Sequence, residues 1–328
     1  MSFKDILGHS RPITLLQRAI RGDKMAHSYL FLGNEGIGKK WVALQFAKAI
    51  NCLTEEVEKG DACDHCSSCK KIDHLLHPDV LLIEPEGQTL KVDQVRQMQR
   101  ELAYRPYEGK RRVCILTAAD RMAPNMSNIL LKTLEEPPLH TMIILLANNP
   151  RLLLPTILSR CQPIRFNPLP NPMVAKWLME QKGLNEEEAH LLSYLSEGSP
   201  GKAMEIREEI HQVPREELLK GLVGLKSLSF EKMGSWAESL PSYRENLVLI
   251  LEVAKTLLRD LTMMKTLKNG SKLIHSDLLQ EMETMAPKWS LSSLLNRMEG
   301  LHQTILALKG NANTTLALEA MMLSWAEG

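Results

Sequence analysis

The chain lacks an excess of charge of either sign. Its 40 Lys and Arg are balanced by 39 Asp and Glu, for a formal net charge of +1, so any contact with nucleic acid has to be local rather than chain-wide. It lacks an apolar run near the roughly 18–20 residues of a membrane span, and no membrane contact is expected. The opening residues MSFKDILGHS lack the apolar centre of a signal peptide, so a cytoplasmic location is expected. Repeats and low-complexity tracts are absent. In a reducing compartment disulfides are not expected either, so the six cysteines point to metal binding or free thiols. At 328 residues the chain exceeds one ordinary domain, and two or three are expected.

Apolar spacing in Pro12–Arg21 predicts an amphipathic helix. His27–Leu32 reads as a buried strand, and Lys39 to about Ile50 as a helix. Four further strands are predicted at Val80–Ile83, Arg112–Thr117, Met142–Ala147 and Pro163–Phe166, with helices at Val92–Ala103 and Met126–Leu134 between them. Such alternation implies a mostly parallel sheet covered on both faces. The breaker-rich run Asn167–Pro172 ends this region. Beyond it the pattern is helical: Val174–Gln181, Glu186–Leu195 and Gly201–Glu209, then Glu216–Leu225, Phe230–Glu238, Arg244–Met264, Ser276–Met285 and two final helices.

Gly33–Lys40 has the spacing G-x-x-x-x-G-K between a predicted strand and a predicted helix. Gly33 and Gly38 let backbone N–H groups cradle phosphates, and Lys39 would reach the β and γ phosphates. An active loop places Ser or Thr next, as a magnesium ligand; here Lys40 follows, a cation with no acceptor. The strand Val113–Ala118 should end in Asp and Glu, to hold magnesium and orient water. Thr117 and Ala118 stand there instead, and Asp120, on a turn, is expected to point elsewhere. Hydrolysis and magnesium are therefore not expected at this site, while nucleotide binding without hydrolysis stays open.

Cys52, Cys63, Cys66 and Cys69 have the spacing C-x10-C-x2-C-x2-C, which suits a closed, tetrahedral, structural zinc site. His65 is a fifth donor that four thiols leave no vacancy for.

Asn128–Pro138 and Leu153–Cys161, together with the loop and the cysteine cluster, resemble the AAA+ clamp-loader family of bacterial DNA polymerase III. Gly198–Gly201 and Asn311–Glu319 extend the resemblance to the C-terminus. It implies an AAA+ α/β domain with a parallel sheet (1–168, with a zinc insertion at about 52–69), a small helical lid (169–212) and an all-α collar (213–328). It further implies a pentameric ring with gamma/tau motor subunits and a delta subunit, which opens a sliding clamp and closes it on primed DNA. The departures at Lys40, Thr117 and Gly201, the last where motors keep a sensor arginine, are those of delta-prime subunits. The resemblance makes Arg160 an arginine finger, inserted into a neighbour's ATP site, so ATP is expected only in that neighbour. Asn148 matches the first-sensor position. Glu135 and Glu136, at a helix end before two prolines, take a structural or inter-subunit role. Ile6–Gly8 and Pro12 resemble the segment bordering the adenine. Arg96, Arg100, Arg105, Lys110, Arg111 and Arg112 form a basic stretch that reads better as a solvated face than as a DNA track. Two alternatives are carried: an active gamma/tau-type motor ATPase, and a zinc-bearing DNA-binding module acting alone.

Overall fold

A computed structural model describes residues 2–55, 59–87, 89–211, 213, 215–224, 246–267 and 273–326. The first half is a five-stranded parallel sheet. Its strands are β1 (Ser28–Leu32), β2 (Val80–Ile83), β3 (Arg112–Leu116), β4 (Thr141–Ala147) and β5 (Gln162–Arg165), in the order β2-β3-β4-β1-β5. All four strand pairings are parallel. Every residue of β3 and β4 is buried, as uninterrupted apolar runs in a doubly covered parallel sheet should be.

Strand residues alternate between two cores. Phe31, Ile144 and Leu146 face one core, shared with Leu16 of α1 (Ser10–Arg21) and with Val42, Phe46 and Ile50 of α2 (Lys39–Asn51). Leu30, Ile143 and Leu145 face the other, shared with Met98 and Leu102 of α4 (Val92–Leu102) and Leu130 and Leu134 of α5 (Pro124–Glu135). A short α3 (Ser67–Asp73) and a one-turn α6 (Pro155–Leu158) complete the layer. The result is an α/β domain built on a parallel sheet, as expected. The five expected strands are all present, each within a residue of its predicted limits at either end.

The chain divides into two compact units: 1–173 with 198–202, and 174–197 with 203–328. The segment Gly198–Lys202, read from sequence as part of the helical lid, thus packs with the α/β unit. The second unit is helical: α7 (Asn171–Lys182) starts at its boundary, followed by α8 (Glu186–Leu195), α9 (Pro200–Glu205), α10 (Arg207–Ile210), α11 (Arg215–Gly224), α12 (Leu247–Thr266), α13 (Leu279–Met285), α14 (Leu291–Lys309) and α15 (Thr314–Ala326). The single helix expected over Gly201–Glu209 is broken at Ile206, and the helix expected over Phe230–Glu238 lies outside the described residues. In this unit Arg297, only 5% exposed, lies between the rings of Trp289 and Trp325, at 4.5 and 4.9 Å. Gly300 makes the stack feasible, since a Cβ there would meet Trp325 Nε1 at 2.6 Å. No described helix is long and apolar enough to cross a membrane.

Candidate functional site

The phosphate loop leaves the C-terminal end of β1, inside the sheet between β4 and β5. Gly33 is required by close approach: a Cβ there would stand 2.5 Å from the Phe166 carbonyl oxygen, at the end of β5. Gly36 and Gly38 have φ of +70° and +109°, where a side chain is strained. Gly38 is the N-cap of α2, so the helix directs its free N–H groups at the loop. Lys39 is nearly buried. Its Nζ donates to the carbonyls of Gly33 (2.5 Å) and Asn34 (2.7 Å) and to Asn148 Oδ1 (2.8 Å). Burial pushes its ammonium down to about 8, against the opposing pull of Asp120 and Glu35.

The two metal-ligand positions carry other contacts. Lys40 Nζ pairs with Glu84 Oε1 at 2.9 Å, beyond the end of β2. Thr117 Oγ1 donates to the Ile83 carbonyl at 3.3 Å, and Ala118 brings no oxygen on its side chain. Asp120 is turned toward the end of β4, where its Oδ2 accepts the N–H groups of Asn148 (3.0 Å) and Asn149 (2.9 Å). It therefore shapes the turn at Asn148, the position expected of a first sensor. Gly201 N donates to Gly36 O at 2.9 Å, and Ser199 Oγ donates to Glu35 O at 2.7 Å, so the segment that would carry a sensor arginine lies directly on the loop. His9, which sequence reasoning passed over, closes the other side: its Nε2 bonds Ile37 O at 2.8 Å and its ring meets Phe166 edge-on. Gly8 next to it lies against Leu169 and Met173, and Pro12 is buried.

Arg160 is at the opposite end of the sheet. It precedes β5, and its carbonyl accepts from Ser28 Oγ at 2.7 Å, at the start of β1. The phosphate loop begins one strand length away, about 16 Å at about 3.3 Å per residue. Its guanidinium pairs with Glu135 Oε1 (2.8 Å) and donates to Thr156 O (3.0 Å) and Ser159 Oγ (3.3 Å).

The four cysteines converge, with sulfurs all within 4.8 Å of one another. Cys63 and Cys69 sulfurs are 3.8 Å apart, which matches the edge of a tetrahedron with metal–sulfur bonds of about 2.3 Å. The N–H groups of Cys66 and Cys69 point at the sulfurs of Cys63 (3.3 Å) and Cys66 (3.4 Å), and Cys52 caps the C-terminus of α2. His65 bonds the Cys63 carbonyl through Nδ1 and is not in the cluster. Lys48 of α2, fully buried, clasps Asp64 (2.5 Å) and Asp73 (2.7 Å) and ties the insertion to the core. The thiol set fits a metal ion.

Of the basic stretch, Arg112 is withdrawn from the surface. Its guanidinium meets Asp79 Oδ1 at 3.2 Å, and the same carboxylate accepts the N–H groups of Tyr107, Glu108 and Gly109. Arg96 pairs with Asp93 across one helical turn, both well exposed.

The family described as "DNA polymerase III, delta subunit" matches residues 8–170. The delta' subunit of DNA polymerase III from Bacillus subtilis is 30% identical over 97% of this chain and 96% of its own length. The chain belongs to the DNA polymerase III delta' family. A second delta' subunit, from Pseudomonas aeruginosa, is 30% identical over 92% of each chain. The fold is also similar to that of a Thermotoga maritima protein related to the DNA polymerase III gamma subunit, with 18% identity, a TM-score of 0.41, and coverage of 96% of this chain and 99% of that one. Family membership makes this a delta'-like clamp-loader subunit, and neither the motor nor the lone DNA-binding reading is favoured.

Proposed function

We propose that this delta' chain supplies Arg160 in trans to the ATP site of a neighbouring gamma/tau-type motor subunit and hydrolyses no ATP itself. The observation that carries this reading is the position of Arg160, one strand length from the chain's own loop, which is too far for its side chain to serve that loop. A guanidinium is permanently charged and planar, and so can neutralise charge developing on a transferring phosphoryl group. The pairing of Lys40 with Glu84 and the turning of Thr117 onto Ile83 support the other half of the reading, since Lys40 has no acceptor and Thr117 brings an uncharged hydroxyl, itself engaged on Ile83, where a carboxylate is needed. The ring would be pentameric, with a delta subunit as well, and would load a sliding clamp on primed DNA in the cytoplasm. The helical half would divide into a lid (169–212) and a collar (213–328). The Cys52, Cys63, Cys66 and Cys69 thiolates would hold zinc as a structural centre. The deciding experiment is steady-state ATP turnover by the reconstituted loader carrying Arg160→Ala. A fall of about 10³-fold or more at the neighbouring site, the scale of trans arginines in other nucleotide hydrolases, is expected. Unchanged turnover would reject the finger.

A further inference from the structure

We infer that Glu135 is a positioning residue for Arg160, setting the direction in which the guanidinium leaves the subunit. The inference rests on the finger reading above and adds a second residue to it.

The argument begins with how little else holds the side chain. The backbone of Arg160 is fixed from below: its carbonyl accepts from Ser28 Oγ at 2.7 Å, and Cys161 beside it is buried. The side chain is on the surface, about one third exposed. Two of its contacts, Thr156 O and Ser159 Oγ, lie on its own one-turn helix and link, so they move with it. Glu135 is its ion-pair partner from another element. It ends α5, the helix packed on the second core through Leu130 and Leu134, and the following Pro137 and Pro138 keep the helix from continuing. The helix backbone beneath Glu135 is anchored by that packing, and a charge-assisted bond of 2.8 Å to its carboxylate restricts a long, rotamer-rich side chain.

The chemistry follows from that geometry. A finger acts by delivering charge to one place, and rotamers that miss it contribute nothing. Glu135 holds the Nη2 edge of the guanidinium and Thr156 O and Ser159 Oγ hold Nη1, which leaves Nε–H and the second Nη2 hydrogen for the phosphates. Its effect therefore falls on the rate of the chemical step. The affinity of the neighbour for ATP is set by the neighbour's own loop and is not expected to change.

The test uses the reconstituted loader, with kcat and KM for ATP measured for Glu135→Ala, Glu135→Gln, Arg160→Ala and the Glu135→Ala/Arg160→Ala double variant. Gel filtration of each complex checks assembly. Glu135→Ala is expected to lower kcat about two- to fivefold, the span an exposed ion pair sustains, with KM unchanged. Glu135→Gln, which keeps an acceptor but no charge, falls between. In the Arg160→Ala background the Glu135 change is expected to do nothing further. If Arg160→Ala abolishes turnover while Glu135→Ala matches or exceeds wild type, positioning is wrong and the finger stands. A further loss in the double variant also overturns it, because Glu135 would then act elsewhere. If Arg160→Ala itself has no effect, the finger reading falls, and this inference with it.

Discussion

The amide of Gly201 donates to the carbonyl of Gly36 at 2.9 Å, and neither residue has space for a side chain. A Cβ on Gly201 would stand 2.7 Å from Gly36 Cα and O, and one on Gly36 would stand 2.6 Å from Lys202 N. Gly201→Ala is therefore expected to destabilise the α/β unit by about 1–3 kcal/mol, as overpacking does. Urea unfolding followed by circular dichroism reads it; an unshifted midpoint would mean that the two backbones are not in contact.

The cysteine cluster predicts about one zinc per chain after extensive dialysis, measured by elemental analysis. Cys69→Ser should lose the metal. A chelator should lower the melting temperature of the wild type, with recovery on adding zinc and none on adding magnesium. Metal-free protein with an unaltered melting curve would count against a structural centre.

Lys48 is fully buried, while Asp64 and Asp73 are each about one third exposed. Removing one side of a buried ion pair costs about 3–5 kcal/mol, and the wet side of both carboxylates reduces this. Lys48→Met is expected to cost about 1–3 kcal/mol and to raise hydrogen exchange across 61–73 first. Uniform exchange at wild-type rates would remove the clasp from the account.

His275 is fully buried in the helical unit, bonded to Thr256 Oγ1 at 2.8 Å and to Arg215 at 3.3 Å. Burial, reinforced by Arg215 and Arg259 against Asp277, lowers it from 6.5 to about 4. The unfolded chain thus takes up this proton first as pH falls. The contribution of His275 is whole above about 6.5 and lost on the way to about 4, at most about 3 kcal/mol. Asp260 beside it, raised by burial, titrates in the opposite sense. The quantity to measure is therefore the difference in unfolding free energy between wild type and His275→Asn from pH 7 to 4. That difference should shrink with acid, and a constant gap would refute the assignment.

The sheet was legible because its strands are uninterrupted apolar runs such as Val113–Leu116 and Met142–Ala147, too short for a buried helix and alternating with helical patterns. The thiol cluster was legible because its ligands are close in sequence. The contacts that organise the phosphate loop were not. Asp120 on Asn148, Ser199 on Glu35 and His9 on Ile37 join residues 28 to 164 positions apart, and local spacing carries no record of them. The break at Ile206 was hidden for the opposite reason: the apolar spacing on either side fits one continuous helix.

One consequence follows from α2 alone. It begins at Lys39 and ends at Asn51, with Cys52 as its cap, making a rod about 20 Å long at 1.5 Å per residue. Disturbing the sulfurs, as by an oxidant that joins two of them, would rock the far tip of that rod. Damage at the knot would then be felt where the ammonium of Lys39 is moored, although no atom there had been touched.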